Sequence, residues 1–179
     1  MSQDYHNNPQ LAELALGKSV TYSDQYDVSL LQPVPRALNR NMIGLSNDLP
    51  FSGNDIWNGY ELSWLNVNGM PQVGILRCAV AFDSINIIES KSFKLYLNSF
   101  NNTRFESLAN VKSVLENDLS HCAQGNVSID IIPNNEFNQQ QLHIPSATLL
   151  DTMDLTFDEY VVSPKLLKSN RDMVTHEFL

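Results

Sequence analysis

Ile87-Ile88-Glu89-Ser90-Lys91-Ser92-Phe93-Lys94-Leu95-Tyr96-Leu97-Asn98-Ser99-Phe100 is where the chain changes its period. Ile87 and Ile88 are β-branched and apolar, as the end of a strand requires. Beyond Glu89, the residues Phe93, Tyr96, Leu97 and Phe100 recur at spacings of three and four, the stripe of a helix buried on one side. Glu89 therefore falls on a strand-to-helix joint. From Lys91 to Arg104 there are three cations and no acid, in a chain whose net charge is -9.

Upstream of the joint the period is that of strands. Tyr60, Leu62, Trp64 and Asn66 alternate with Glu61, Ser63 and Leu65, so the core is expected to begin near Tyr60. Asn68-Gly69 follows, the strongest short hairpin signal, because a type I′ turn needs positive φ at both central positions. Gln72 to Phe82 supplies the returning strand, with Val73, Ile75, Val80 and Phe82. Trp57 and Trp64 are expected as core anchors.

Downstream, Leu108, Val111, Leu115 and Leu119 give one face of a second helix over 107–123. Ser107 is placed to cap its start, and Gly125 stands just past its end. Val127, Ile129 and Ile131 alternate as a third strand. After the polar stretch 134–141, residues 147–160 read as a fourth. The order β-β-α-α-β-β predicts an α+β fold, with a four-stranded antiparallel sheet and two helices on one face.

Residues 1–58 are rich in Asn, Asp, Ser and Pro, and include Gly44 and Gly53. They read as an extended arm with short turns, wrapped over a core or a partner. The expected division is thus an arm at 1–58, a module at 59–162, and a linker at 163–179.

Bulk composition narrows the class. With 179 residues, 42% hydrophobic and 17% charged, the chain suits one globular domain of ordinary size. Its acidity argues against non-specific nucleic-acid binding. No apolar run approaches a membrane span, and the polar N-terminus lacks the form of a signal peptide. A cytoplasmic protein is expected. Cys78 and Cys122 then read as packing thiols rather than a disulfide. His121 precedes Cys122 directly, and helix neighbours point about 100° apart, so they form no catalytic pair. The four histidines show no ligand spacing, so no metal site is expected. The acids at 151, 154, 158 and 159 read as a solvated strand edge, lacking the central glycine of a calcium loop. No glycine-rich phosphate loop is present.

The acid and the cations at the joint carry the chemistry. A carboxylate accepts two parallel N–H bonds, as a guanine-like ring edge offers. The competing reading is a helix-start acid favoured by the macrodipole, and spacing alone favours it. Lys91 and Lys94, three apart, share a helix face and with Ser90 and Ser92 could hold a phosphate at the helix start. The competing reading there is a solvated face.

The run at 89–100 resembles the signature of the NADPH-dependent 7-cyano-7-deazaguanine reductases, the nitrile reductases of queuosine biosynthesis. Other stretches resemble the long, two-module form of that family. They include Leu16-Gly17-Lys18-Ser19, Ser29-Leu30-Leu31-Gln32, Val34-Pro35-Arg36, Leu38-Asn39-Arg40, Asp55-Ile56-Trp57, Tyr60 to Asn66, and Cys122-Ala123-Gln124-Gly125. The resemblance implies the tunnelling fold, whose module has the order read above. It implies substrate contacts at Ile88, Glu89 and Ser90, with Glu89 holding the deazaguanine edge, and NADPH contacts at Ser90 and Lys91. It also implies tunnelling-fold assembly, and a homo-oligomer, a dimer, is expected because a lone sheet leaves exposed edges.

In that family a cysteine thiolate adds to the nitrile carbon. Two hydride transfers from NADPH then give the aminomethyl base, with an aspartate as proton donor. In the long form the nucleophile directly follows a Leu-Leu-Lys-Ser-Asn stretch. Here Leu166-Leu167-Lys168-Ser169-Asn170 is followed by Arg171. Arginine stays charged and has no nucleophilic lone pair at neutral pH, so no catalytic residue is assigned. The link 160–165 is also shorter than the family's, and the sequence stops at Leu179, before the second module of the long form. His176-Glu177 matches a substrate-binding pair in composition only and is not carried over.

The expected function is therefore reduction of the nitrile of 7-cyano-7-deazaguanine, with little turnover by this chain alone. The alternatives are a catalytically silent module that binds the base or NADPH or serves assembly, and another tunnelling-fold activity on a pterin-like or purine-like ring.

Overall fold

A computed structural model describes residues 23–45, 48–141, 154, 156, 158–161 and 163. The chain divides into two compact units, Met1–Asn138 and Gln139–Leu179, and the fold described below is that of the first. Its elements are β1 (Pro33–Pro35), α1 (Ala37–Met42), β2 (Asn54–Leu65), β3 (Pro71–Ala81), β4 (Asn86–Ile88), α2 (Ser90–Asn98), α3 (Leu108–Ala123) and β5 (Val127–Pro133).

The β2–β3 hairpin and the return of β5 onto β3 make a three-stranded antiparallel sheet of order β2-β3-β5. Leu62, Trp64, Leu76, Cys78, Val80, Val127, Ile129 and Ile131 line its inner face, buried with Phe93, Tyr96 and Phe100. Val111, Leu115 and Leu119 of α3 pack into the same core, as the helical stripe predicts. The fold is thus mixed α and β with antiparallel sheets, consistent with α+β. The residues expected as a fourth strand, 147–160, lie largely outside the described residues.

Several local expectations change. The first strand starts at Asn54 rather than near Tyr60. Its register slips between Gly59, opposite Leu76, and Leu62, opposite Gly74. Three steps on β2 against two on β3 mark a bulge of one residue, which flips the pleat. Trp57 before the bulge and Leu62 after it therefore both face inward, while Tyr60 is 71% exposed instead of packing beside Leu62 and Trp64. Unbroken alternation could not show this.

The hairpin forms at Asn68-Gly69, but not as a two-residue type I′ turn. Residues 66–70 make the connection, and among them only Gly69 has positive φ, at 80°. The Asn66 side chain explains the difference: its Oδ1 accepts the N–H groups of Asn68 and Met70, both at 3.0 Å. An Asx side chain has replaced part of the turn's backbone bonding.

A second sheet was not expected from the sequence. Val34 of β1 pairs with Ile87 of β4, despite the prolines on either side, which a short edge strand tolerates. The segment leading into it lies over α2, with Leu30 and Leu31 packed on the core. Tyr26 sits edge-on to Tyr96, Phe100 and Phe105, and its hydroxyl donates to Asp118 Oδ2 at 2.6 Å. Tyr96 donates to the same oxygen at 2.7 Å. Burial and the Asp118 carboxylate raise both phenol pKa values above the ordinary tyrosine value. Arg36, just after β1, donates to Ser84 and pairs with Asp55, which ties this segment to the sheet.

Candidate functional site

β4 delivers Glu89 to the start of α2. The glutamate backbone is extended, with φ -64° and ψ 127°, and its side chain folds back over the first turn. Oε1 accepts the Lys91 N–H at 2.9 Å, and Oε2 accepts the Ser92 N–H at 2.6 Å. The helix-start role that spacing favours is therefore present in the geometry. Two otherwise orphaned N–H donors are satisfied by the carboxylate, and its charge lies at the positive end of the helix dipole.

This corrects one expectation. Two of the N–H groups that were to hold a phosphate at the helix start, those of Lys91 and Ser92, are already engaged by Glu89, and Ser92 is fully buried. Glu89 itself fills that anion position.

The other residues expected at the site fall in different places. Ile88 is 2% exposed over the whole residue and belongs to the core, so it offers a ligand almost no surface. Ser90 is exposed and Lys91 half-buried. A groove of about 450 Å³ runs between the middle of β2 and α2, lined among others by Trp57, Tyr60, Ser90, Phe93, Lys94 and Asn98. Ser90, Lys94 and Asn98 are spaced by four and form its helical wall. Lys91 does not line it, so Lys91 and Lys94 are not equivalent. Sequence reasoning singled out Ser90 and Lys94 but not Asn98, nor Trp57 and Tyr60 opposite, because the bulge in β2 sets which of its side chains meet the groove. Arg171 and His176 lie outside the described residues.

Neither described cysteine is prepared as a nucleophile. Burial pushes the Cys78 thiol up to about 12 and the Cys122 thiol up to about 11. At neutral pH both are protonated, whereas the thiolate is the reactive form. Among the described residues no group of three or more His, Cys, Asp and Glu gathers to hold a metal. No helix among them is long and apolar enough to cross a membrane.

The class is thus an antiparallel α+β module with a carboxylate fixed at a helix start and a largely apolar groove along the same helix. Residues 22–131 match the family model described as nitrile reductase, 7-cyano-7-deazaguanine-reductase N-terminal. The match spans most of the described unit and includes the joint at Glu89. The chain belongs to this family, which ties it to 7-cyano-7-deazaguanine reduction in queuosine biosynthesis.

Proposed function

We propose that this chain is the base-recognition module of an NADPH-dependent 7-cyano-7-deazaguanine reductase. Glu89 holds the amide and amino edge of the deazaguanine. Ser90 completes the contact, and Ser90 and Lys91 contact NADPH. The module is a tunnelling-fold unit over 59–162, with an arm before it and a linker after it. It works in the cytoplasm as a homo-oligomer, a dimer.

The observation that carries this reading is the fixed Glu89 carboxylate. Each oxygen has about two acceptor positions, and each accepts one backbone N–H among the described residues. In valence, one position per oxygen remains, enough for a two-donor ring edge without giving up the cap, and with Glu89 8% exposed the ring must reach it through that small opening. Preorganisation by the backbone N–H groups spares the ligand the cost of ordering a flexible glutamate.

Turnover needs a thiolate that Cys78 and Cys122 do not supply, and Arg171 stands where the family motif places the nucleophile. The pure 179-residue chain, mixed with 7-cyano-7-deazaguanine and NADPH, is expected to leave the nicotinamide absorbance almost unchanged. Base-dependent oxidation at an ordinary enzyme rate, about 1 s⁻¹ or more, would show that chemistry proceeds without the motif cysteine.

Lys91→Ala is expected to weaken NADPH binding, and more so at low than at high ionic strength. The lysine acts on phosphate as a charge, and salt screens a partly exposed pair. A loss of affinity independent of salt would remove Lys91 from phosphate recognition.

A further inference from the structure

Ser92 has no surface, yet every polar atom that it contributes to the joint is used on Glu89 or on the segment lying over it. Its N–H donates to Glu89 Oε2 at 2.6 Å. Its hydroxyl donates to the Glu89 carbonyl at 2.8 Å, and the same hydroxyl accepts the Gln32 N–H at 3.0 Å. The Gln32 carbonyl in turn accepts the Glu89 N–H at 2.9 Å. Gln32, Ser92 and Glu89 thus close a ring of hydrogen bonds that fixes Glu89 at its N–H, its carbonyl and its carboxylate. A hydroxyl supplies one donor and two acceptor positions, so a single Ser oxygen can serve both neighbours at once.

We infer that Ser92 is a positioning residue for base recognition. Through Gln32 it locks the overlying segment to the helix start and so sets the direction of the Glu89 carboxylate. The inference rests on Glu89 being the grip on the base. Ser92 does not touch a ligand, because none of its surface is accessible.

A second buried serine on the same helix separates positioning from general support. Ser99 caps the other end of α2. It donates to the Tyr96 carbonyl at 2.6 Å and accepts the Asp27 N–H at 3.2 Å. It holds the same overlying segment by the same kind of bond, but away from Glu89. Ser92→Ala and Ser99→Ala therefore remove like contacts at opposite ends.

The test has two readouts on the full chain. The first is native-state amide hydrogen exchange by NMR. Ser92→Ala is expected to speed exchange of the Glu89 and Lys91 amides by about tenfold or more, since the Glu89 amide is bonded within the ring and the Lys91 amide to the carboxylate that the ring fixes. Ser99→Ala is expected to leave those two amides unchanged. Equal exchange in Ser92→Ala and wild type, or equal acceleration in both variants, overturns the inference. The second readout is calorimetric affinity for 7-cyano-7-deazaguanine. It is expected to fall about fivefold to tenfold in Ser92→Ala alone, as a hydrogen bond's worth of preorganisation is lost. Unchanged affinity in a protein that binds the base also overturns it. If wild type binds no base, the recognition reading fails, while the exchange rates still decide whether Ser92 sets the carboxylate.

Discussion

Gly125→Ala is expected to destabilise the protein by about 3 kcal/mol, toward the upper end of what overpacking a core costs. A Cβ at Gly125 would lie 2.5 Å from the Ser84 Cβ and 2.7 Å from its Cα. Ser84 cannot retreat. Its hydroxyl accepts from Arg36 Nε at 3.0 Å and donates to the Asn86 carbonyl at 2.9 Å, and its N–H donates to Ala81 at 3.0 Å. Relief would therefore have to move the β3–β4 turn, and with it the strand that delivers Glu89. The residue before provides the contrast. Gln124, not Gly125, adopts the left-handed conformation at the end of α3, with φ 48°. Gln124→Gly relieves that strain while adding unfolded-chain entropy, so its effect is expected within about 1 kcal/mol of neutral. Urea unfolding of the two variants checks both. A Gly125→Ala midpoint equal to wild type would mean that the turn yields freely.

The glycine shows what the sequence disclosed and what it hid. Its place just past a helix was legible, and so was the helix itself. Its purpose was not, because the contact that requires it comes from Ser84, 41 positions earlier. The same division holds elsewhere. Val127, Ile129 and Ile131 alternate and are buried as expected, because one side chain in two faces the core. Ser107 caps α3 through the Asn110 N–H at 3.1 Å, a local bond that local sequence specifies. By contrast, the bulge in β2, the pairing of Val34 with Ile87 and the Tyr26–Asp118 bond depend on partners far along the chain. Periodicity carries no record of such partners. At the site, Glu89 stood out by its position at the joint. Its role as a helix-start acid was legible from spacing, whereas the hold of Ser92 and Gln32 on it depended on a segment 60 residues before Ser92.

The second large effect is expected at Glu89. Glu89→Ala removes a helix cap and leaves the Lys91 and Ser92 N–H groups without their acceptors, which costs about 1–2 kcal/mol of stability. Its effect on base binding is expected to be larger. Two hydrogen bonds donated to a charged acceptor contribute about 1.5–3 kcal/mol each, so affinity should fall by two orders of magnitude or more, roughly 3 kcal/mol. Glu89→Gln separates the two roles. Its amide oxygen keeps one cap acceptor, while its NH₂ group turns a donor toward the ring's donors. Stability should then recover in part, but binding should not.

Isothermal calorimetry of 7-cyano-7-deazaguanine with wild type, Glu89→Ala and Glu89→Gln tests the recognition site most directly. Measurable binding by wild type is expected, with a loss of about 100-fold or more in both variants. Equal affinity across the three proteins, with both variants folded, would contradict the assignment of Glu89 as the grip on the base.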